Sequence, residues 1–133
     1  MLQYVLAYVA TAVVFFTLDF IWLSTALRFY REQLGDLLLD QPNLAVAGIF
    51  YAVYVVGIVG LVVGPALNGG NWVNVLLLGA LLGLVAYGTY DFTNLSTIRN
   101  WPVAVSIVDL CWGTFLTAVS ALGGFLITRW LMP

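Results

Sequence analysis

Four long apolar stretches alternate with short polar ones along the chain, and each has the length of a membrane-crossing helix. The pattern predicts helices over about 3–27, 44–66, 72–96 and 102–131, each sufficient to span a hydrocarbon core of ~30 Å. Between the first two, Leu27, Tyr30, Leu34, Leu37 and Leu38 recur at helical spacing, while Arg28, Arg31, Glu32 and Asp36 take the opposite side. That arrangement predicts an amphipathic helix lying at the membrane interface over about 28–40, with Arg28 and Glu32 four residues apart and able to pair. Pro42 closes this segment, and Pro65 with the turn Asn68-Gly69-Gly70-Asn71 closes the second span. Trp72 opens the third span with a side chain favoured at the lipid–water boundary. The turn Arg99-Asn100-Trp101-Pro102 leads to the fourth, whose first turn suits a proline. The first stretch has no basic residue ahead of its apolar part and is too long for a signal-peptide core, so it is expected to be a retained helix.

Composition narrows the class. Of 133 residues, 63% are hydrophobic and 8% charged, and the mean hydropathy is +1.06. A water-soluble domain of this length needs a polar surface that so few polar side chains cannot supply. The expected fold class is therefore an all-α membrane protein, with four transmembrane helices in a bundle forming one integral domain over residues 1–133. The lipid bilayer is the expected partner. No basic tract with interleaved aromatics is present, which argues against nucleic acid. With no histidine and no lysine, the chain lacks imidazole as base or metal ligand and an amine for a Schiff base, so no metal site and no cofactor are expected. Cys111, the only cysteine, stands beside Trp112 and is expected to be a buried, inert thiol.

Polar and small residues form stripes on the apolar helices. The second span carries Gly57, Gly60 and Gly64, expected to let neighbouring helices approach closely. The third carries Gly79, Gly83, Tyr87, Asp91 and Asn94 on one face, and the fourth Ser106, Asp109, Gly113, Thr117, Ser120 and Gly124. Glycine, serine and threonine at this spacing are what membrane helices use for close packing. Packing alone does not call for aspartate, and an acid at the centre of a membrane helix costs roughly 2.5–3.5 kcal/mol.

Three aspartates are expected at one depth. Asp19 lies nine residues before Arg28, Asp91 eight before Arg99, and Asp109 seven after Pro102. Helices one and three run the same way, so these positions agree to about one turn, and the carboxylates can meet. Thr17-Leu18-Asp19-Phe20 echoes Thr89-Tyr90-Asp91-Phe92, and Asp19 precedes Trp22 by the three residues that separate Asp109 from Trp112. Tyr51, Tyr54, Tyr87, Tyr90, Thr93 and Asn94 fall in the same half of the membrane. Together with Trp22 and Trp112 they are the expected ligand- or proton-binding residues around Asp19, Asp91 and Asp109. Acid-inward packing would make a polar chamber open toward one leaflet, in which three acids cannot all ionise cheaply and protons are shared.

The residues Tyr51-x-x-Tyr54-x-x-Gly57, Pro65-Ala66-Leu67, Tyr87-x-Thr89-Tyr90-Asp91-x-Thr93-Asn94, Trp101 and Asp109-x-x-Trp112-Gly113 resemble the pattern of a family of small bacterial predicted membrane proteins catalogued as a domain of unknown function. The resemblance covers essentially the whole chain. It implies four membrane helices, places Asp91, Thr93, Asn94, Asp109 and Trp112 in the family pattern, and brings no activity, substrate or cofactor. Bacterial cytoplasmic membrane is the location it implies. Arg28, Arg31 and Arg99 on one face against Arg129 on the other put both termini outside by the positive-inside rule.

The functional expectation is a polar, carboxylate-lined intramembrane pocket that binds or transports a small polar or cationic ligand or a lipid headgroup, with proton coupling. A chain of four helices barely encloses a pathway, so a homodimer is expected. The alternatives are a membrane-embedded acid–base enzyme acting on a lipid or isoprenoid, and an accessory subunit of a larger membrane complex. Whether the chain is an enzyme is left open by its residues.

Overall fold

Backbone amides cannot stay unpaired in hydrocarbon, so an apolar stretch of this length closes its hydrogen bonds within itself as a helix. A computed structural model describes all residues 1–133. It contains four helical spans long and apolar enough to cross a membrane, and no strand. The first, α1 (Leu2–Leu34), meets no glycine or proline before Gly35 and does not stop at Leu27. The separate amphipathic helix expected over 28–40 is thus, as far as Leu34, the last two turns of α1. Gly35 then adopts φ 52 and starts a single 3-10 turn, Gly35–Leu37. The Arg28–Glu32 pair forms as the spacing predicts, Arg28 Nε donating to Glu32 Oε1 at 2.9 Å on an exposed surface.

The second span, α2 (Leu44–Leu67), starts at Asn43, whose side chain accepts from the Val46 amide at 3.1 Å and satisfies one of the orphan donors of the first turn. It is regular through Ile58, widens to a π-helical turn over Val59–Val63, and ends as Gly64–Leu67. Pro65 has no amide hydrogen and crowds the carbonyl four residues before it. The wider turn accommodates this, with the Gly64 amide reaching back to the Val59 carbonyl. Val55, Ile58, Val59, Val62 and Val63 form the buried face of α2. Gly57 and Gly60 lie off that face with nothing within 4 Å of where a side chain would be. The close helix approach expected at these two glycines does not occur within the chain. At Gly64 it does, against the ring of Tyr4 at 3.1 Å.

Asn71 caps α3 (Trp72–Thr97) through the Asn74 amide at 3.0 Å. A turn with Asn100 at φ 63 leads to α4 (Val103–Leu131). α4 is the central element, packed along both α3 and α1. Its antiparallel crossing with α3 is built on glycine. A side-chain carbon on Gly79 would sit 3.0 Å from the Ala118 backbone, one on Gly83 would strike the Gly113 carbonyl, and one on Gly113 would enter the ring of Tyr87. Phe15, Val55, Ile58, Val63, Val75 and Leu116 fill the core between these contacts.

Substituting Gly113→Ala is expected to destabilise the bundle by ~1–3 kcal/mol through overpacking against Tyr87, whereas Gly60→Ala should stay within ~0.5 kcal/mol. Thermal or denaturant unfolding in detergent checks the pair, and equal midpoints would contradict the crossing described.

Candidate functional site

The α3–α4 crossing carries two acids to its end. Four residues beyond Tyr87 on α3 lies Asp91, and four before Gly113 on α4 lies Asp109, so the register that nests Tyr87 over Gly113 also brings these carboxyls together. The start of α4 is tied to the same place: Ser106 Oγ donates to the Asp91 carbonyl at 2.9 Å and accepts from Trp101 Nε1 at 3.0 Å. Asp91 is fully buried. Neither of its carboxyl oxygens has a hydrogen-bond partner of good geometry, although the Asp109 carboxyl is close enough to interact directly.

α1 closes the site from the other side. Tyr30 donates to Asp109 Oδ1 at 3.0 Å, and its hydroxyl accepts from Trp22 Nε1 at 3.3 Å. Trp22 stacks on Trp112 with ring centroids 4.5 Å apart and planes 7° from parallel. Trp112 Nε1 in turn donates to Asp19 Oδ1 at 3.2 Å. Asp19 is buried and lies within electrostatic reach of Asp109, so α1, α3 and α4 each bring one acid to the same end of the bundle. The Trp112 indole supplies a donor to a carboxylate that hydrocarbon would leave unsolvated, and the Trp22 indole supports the tyrosine that does the same for Asp109.

The remaining expected residues divide. Tyr51 faces Asp19, and Tyr87 lies within electrostatic reach of both. Tyr54 sits one layer further from the acids, its ring against Tyr87 and its hydroxyl 2.7 Å from Thr117 Oγ1. Asn94 is half-buried beside the Tyr90 hydroxyl, and Tyr90 is 57% exposed at the rim, edge-on to Trp101. Thr93 does not belong to the cluster. Two residues on from Asp91 is more than half a turn around the helix, and Thr93 is exposed on the outer face. Cys111 is displaced likewise from Asp109, and is exposed where a buried thiol was expected.

Around the acids, Tyr30, Trp22, Trp112 and Asp19 are linked side chain to side chain. Two hollows lie beside the cluster: a shallow groove of about 680 Å³ on the outer face of α3 and α4, lined by Thr89, Thr93 and Leu110 among others, and a cleft of about 360 Å³ between the end of α1 and the Arg99–Asn100 turn. The three carboxylates do not form a set that could hold a metal ion. Two adjacent carboxyls in a low-dielectric site are chemically suited to sharing a proton.

Tyr30, Trp101 and Ser106 were not among the expected site residues. Tyr30 falls in the segment expected to form a separate interfacial helix, and the continuation of α1 to Leu34 is what carries it to Asp109. Ser106 lay on the α4 stripe three residues before Asp109, which was the available signal.

Over residues 4–126 the chain matches the family described as "Predicted membrane protein (DUF2177)". The chain belongs to this family. No curated protein and no solved structure matches it. The matched region contains all three aspartates and the four apolar spans up to the last turns of α4, so this DUF2177 protein is a membrane protein whose acids fall inside the family region.

Tyr30→Phe removes one donor from Asp109 and one acceptor from Trp22, and is expected to lower stability by ~0.5–1.5 kcal/mol while altering the fluorescence of the Trp22–Trp112 stack. Thr93→Val should change neither. Unfolding curves and emission spectra in detergent read both, and the reverse ranking would refute the placement of these two residues.

Proposed function

We propose that this DUF2177 protein is a proton-coupled binding or transport module in which Asp91 and Asp109 hold one exchangeable proton between them. Its ligand on this reading is a small cation or the cationic group of a polar molecule or lipid headgroup, taken up at the acid pair as the proton leaves. The observation that supports it is the buried Asp91 carboxyl, adjacent to a second acid and without a hydrogen-bond partner for either oxygen. Two carboxylates side by side in a low-dielectric site repel one another, and either a shared proton or a bound cation removes that repulsion.

Asp19 plays a different part in this scheme. Its bond from Trp112 fixes it at the edge of the pair, where its charge acts on Asp109 without competing for the same proton. Tyr30 holds Asp109 in position from α1. The acid cluster lies at the end of the bundle where α1 and α3 finish and α4 begins, the end that carries Arg28, Arg31 and Arg99. By the positive-inside rule this end is cytoplasmic and both termini are outside. A homodimer belongs to the same proposal, because four helices enclose little space for a permeant molecule.

A second reading is favoured by the Tyr30–Asp109 and Trp112–Asp19 bonds: a structural knot in which neutral acids, tyrosines and indoles tie the helices together with no ligand. Asparagine replaces a protonated carboxyl as a hydrogen-bonding group but carries no exchangeable proton, so Asp91→Asn and Asp109→Asn separate the two. With purified protein in lipid nanodiscs, methylammonium chloride as probe and a pH dye as reporter, the native chain is expected to release about one proton per chain, and either variant none while remaining folded. Folded native protein that releases no proton with methylammonium, sodium or zwitterionic-lipid headgroup probes would leave the knot as the function.

A further inference from the structure

From the acid cluster towards the end of the bundle that holds both termini, the core does not become wholly apolar. Thr117, Ser120 and Thr128 continue the face of α4 that carries Ser106 and Asp109, and all three are fully buried. Thr11 of α1, also fully buried, joins this line at Gly124, where the missing side chain makes room for the threonine hydroxyl. Hydroxyls inside membrane helices are ordinarily satisfied by the carbonyl one turn back. Thr114, Thr128 and Thr89 do this, with distances of 2.8, 2.7 and 2.6 Å. Thr11 Oγ1 and Ser120 Oγ do not: both are buried without any partner. A hydroxyl left so costs about 1–3 kcal/mol, and the two lie about one turn apart in height, Ser120 four residues before the Gly124 that Thr11 meets.

Their spacing suits water. At ~1.5 Å per residue, Ser120 lies ~4.5 Å along the axis from Thr117 and ~6 Å from the level of Gly124 and Thr11, and Thr128 lies ~6 Å beyond that, gaps of the size that one bridging water spans. At the other end the line reaches the acids. Thr117 Oγ1 is 2.7 Å from the Tyr54 hydroxyl, the Tyr54 ring meets Tyr87 edge-on, and Tyr87 lies within electrostatic reach of Tyr51 and Asp19.

We propose that this line of hydroxyls, completed by water, is a proton path joining the aspartate cluster to the end of the bundle that holds both termini. It rests on the reading of Asp91 and Asp109 as a proton site and adds the route by which that site is filled. Each hydroxyl or water accepts a proton on the side of the termini and releases its own on the side of the acids. One O–H bond forms as another breaks, no intermediate group keeps a charge, and the carboxylate pair takes the last proton. Removing one unpartnered hydroxyl breaks the sequence of donors and acceptors without breaking any hydrogen bond within the protein.

The test is proton entry into phosphatidylcholine liposomes containing the full chain and an internal pH dye, driven by a valinomycin-set potassium potential. The native protein is expected to admit protons faster than empty liposomes. Ser120→Ala and Thr11→Val should each slow entry about tenfold or more, the effect of a barrier raised by one lost hydrogen-bonding step. Ser120→Ala should not lower the melting temperature, and Thr11→Ser, which keeps a hydroxyl against Gly124, should retain both the native rate and the native melting temperature. Entry no faster than in empty liposomes, or native rates in both Ser120→Ala and Thr11→Val, would overturn the path. Infrared spectra of the same samples tell the two failures apart. A carboxylic-acid C=O band lost in Asp91→Asn would leave the proton site standing without its route, and absence of that band from the native protein would remove site and path together.

Discussion

The structure depends on how closely α3 and α4 approach each other. Gly79, Gly83 and Gly113 take side chains out of the contact at successive turns, so that backbone meets backbone and the Tyr87 ring lies over Gly113. Without a hydrophobic driving force between helices in lipid, such contacts supply the association through dispersion and shape. They also fix register. One turn further along each helix stand Asp91 and Asp109, and a slip of one residue would rotate either acid by about 100° out of the contact. The same periodicity that packs the helices therefore delivers the acids to each other.

Placing two carboxyls together in a membrane protein is unfavourable, and the surrounding residues reduce the cost unequally. Asp109 receives a tyrosine hydroxyl and Asp19 an indole, whereas the Asp91 carboxyl has no such donor and faces only the Asp109 carboxyl, while its backbone carbonyl is held by Ser106. A purely structural arrangement would be expected to satisfy its most buried acid first, because that acid loses most by desolvation. Here the order is inverted. The most deeply buried carboxyl is left open to whatever its neighbour can share with it.

Much of this was legible in the chain, and the misses have a geometric cause. The four spans, the α3 and α4 stripes and the equal depth of the three aspartates follow from length and periodicity, since a helix of known rise converts sequence distance from a boundary into height. Thr93 was misplaced because it belongs to the motif Tyr90-Asp91-Phe92-Thr93-Asn94 as sequence but to the opposite face as helix. Asn94, three residues from Asp91, keeps the inner side. Tyr30 was lost to an assumed break after Leu27, although nothing before Gly35 can end the helix. Gly57 and Gly60 show the limit of composition: a glycine permits close approach, but a neighbour must be there, and the packing face of α2 is set by its valines instead.

The two ends of the bundle are then polar in different ways. At the acid end, rings and carboxyls are large and tied together by hydrogen bonds and ring contacts between α1 and α4. Towards the termini the polar groups are small hydroxyls on α1 and α4, two of them without partners, and the Thr11 hydroxyl fills the space that Gly124 leaves open. α4 supplies groups to both regions along one buried face from Ser106 to Thr128. At ~1.5 Å per residue that face is about 33 Å long, comparable to the hydrocarbon thickness it has to cross. Close packing accounts for small side chains along this face, and Ser106, Thr117 and Thr128 are hydrogen-bonded within it, but alanine would pack as closely at Ser120 without leaving a buried oxygen unsatisfied.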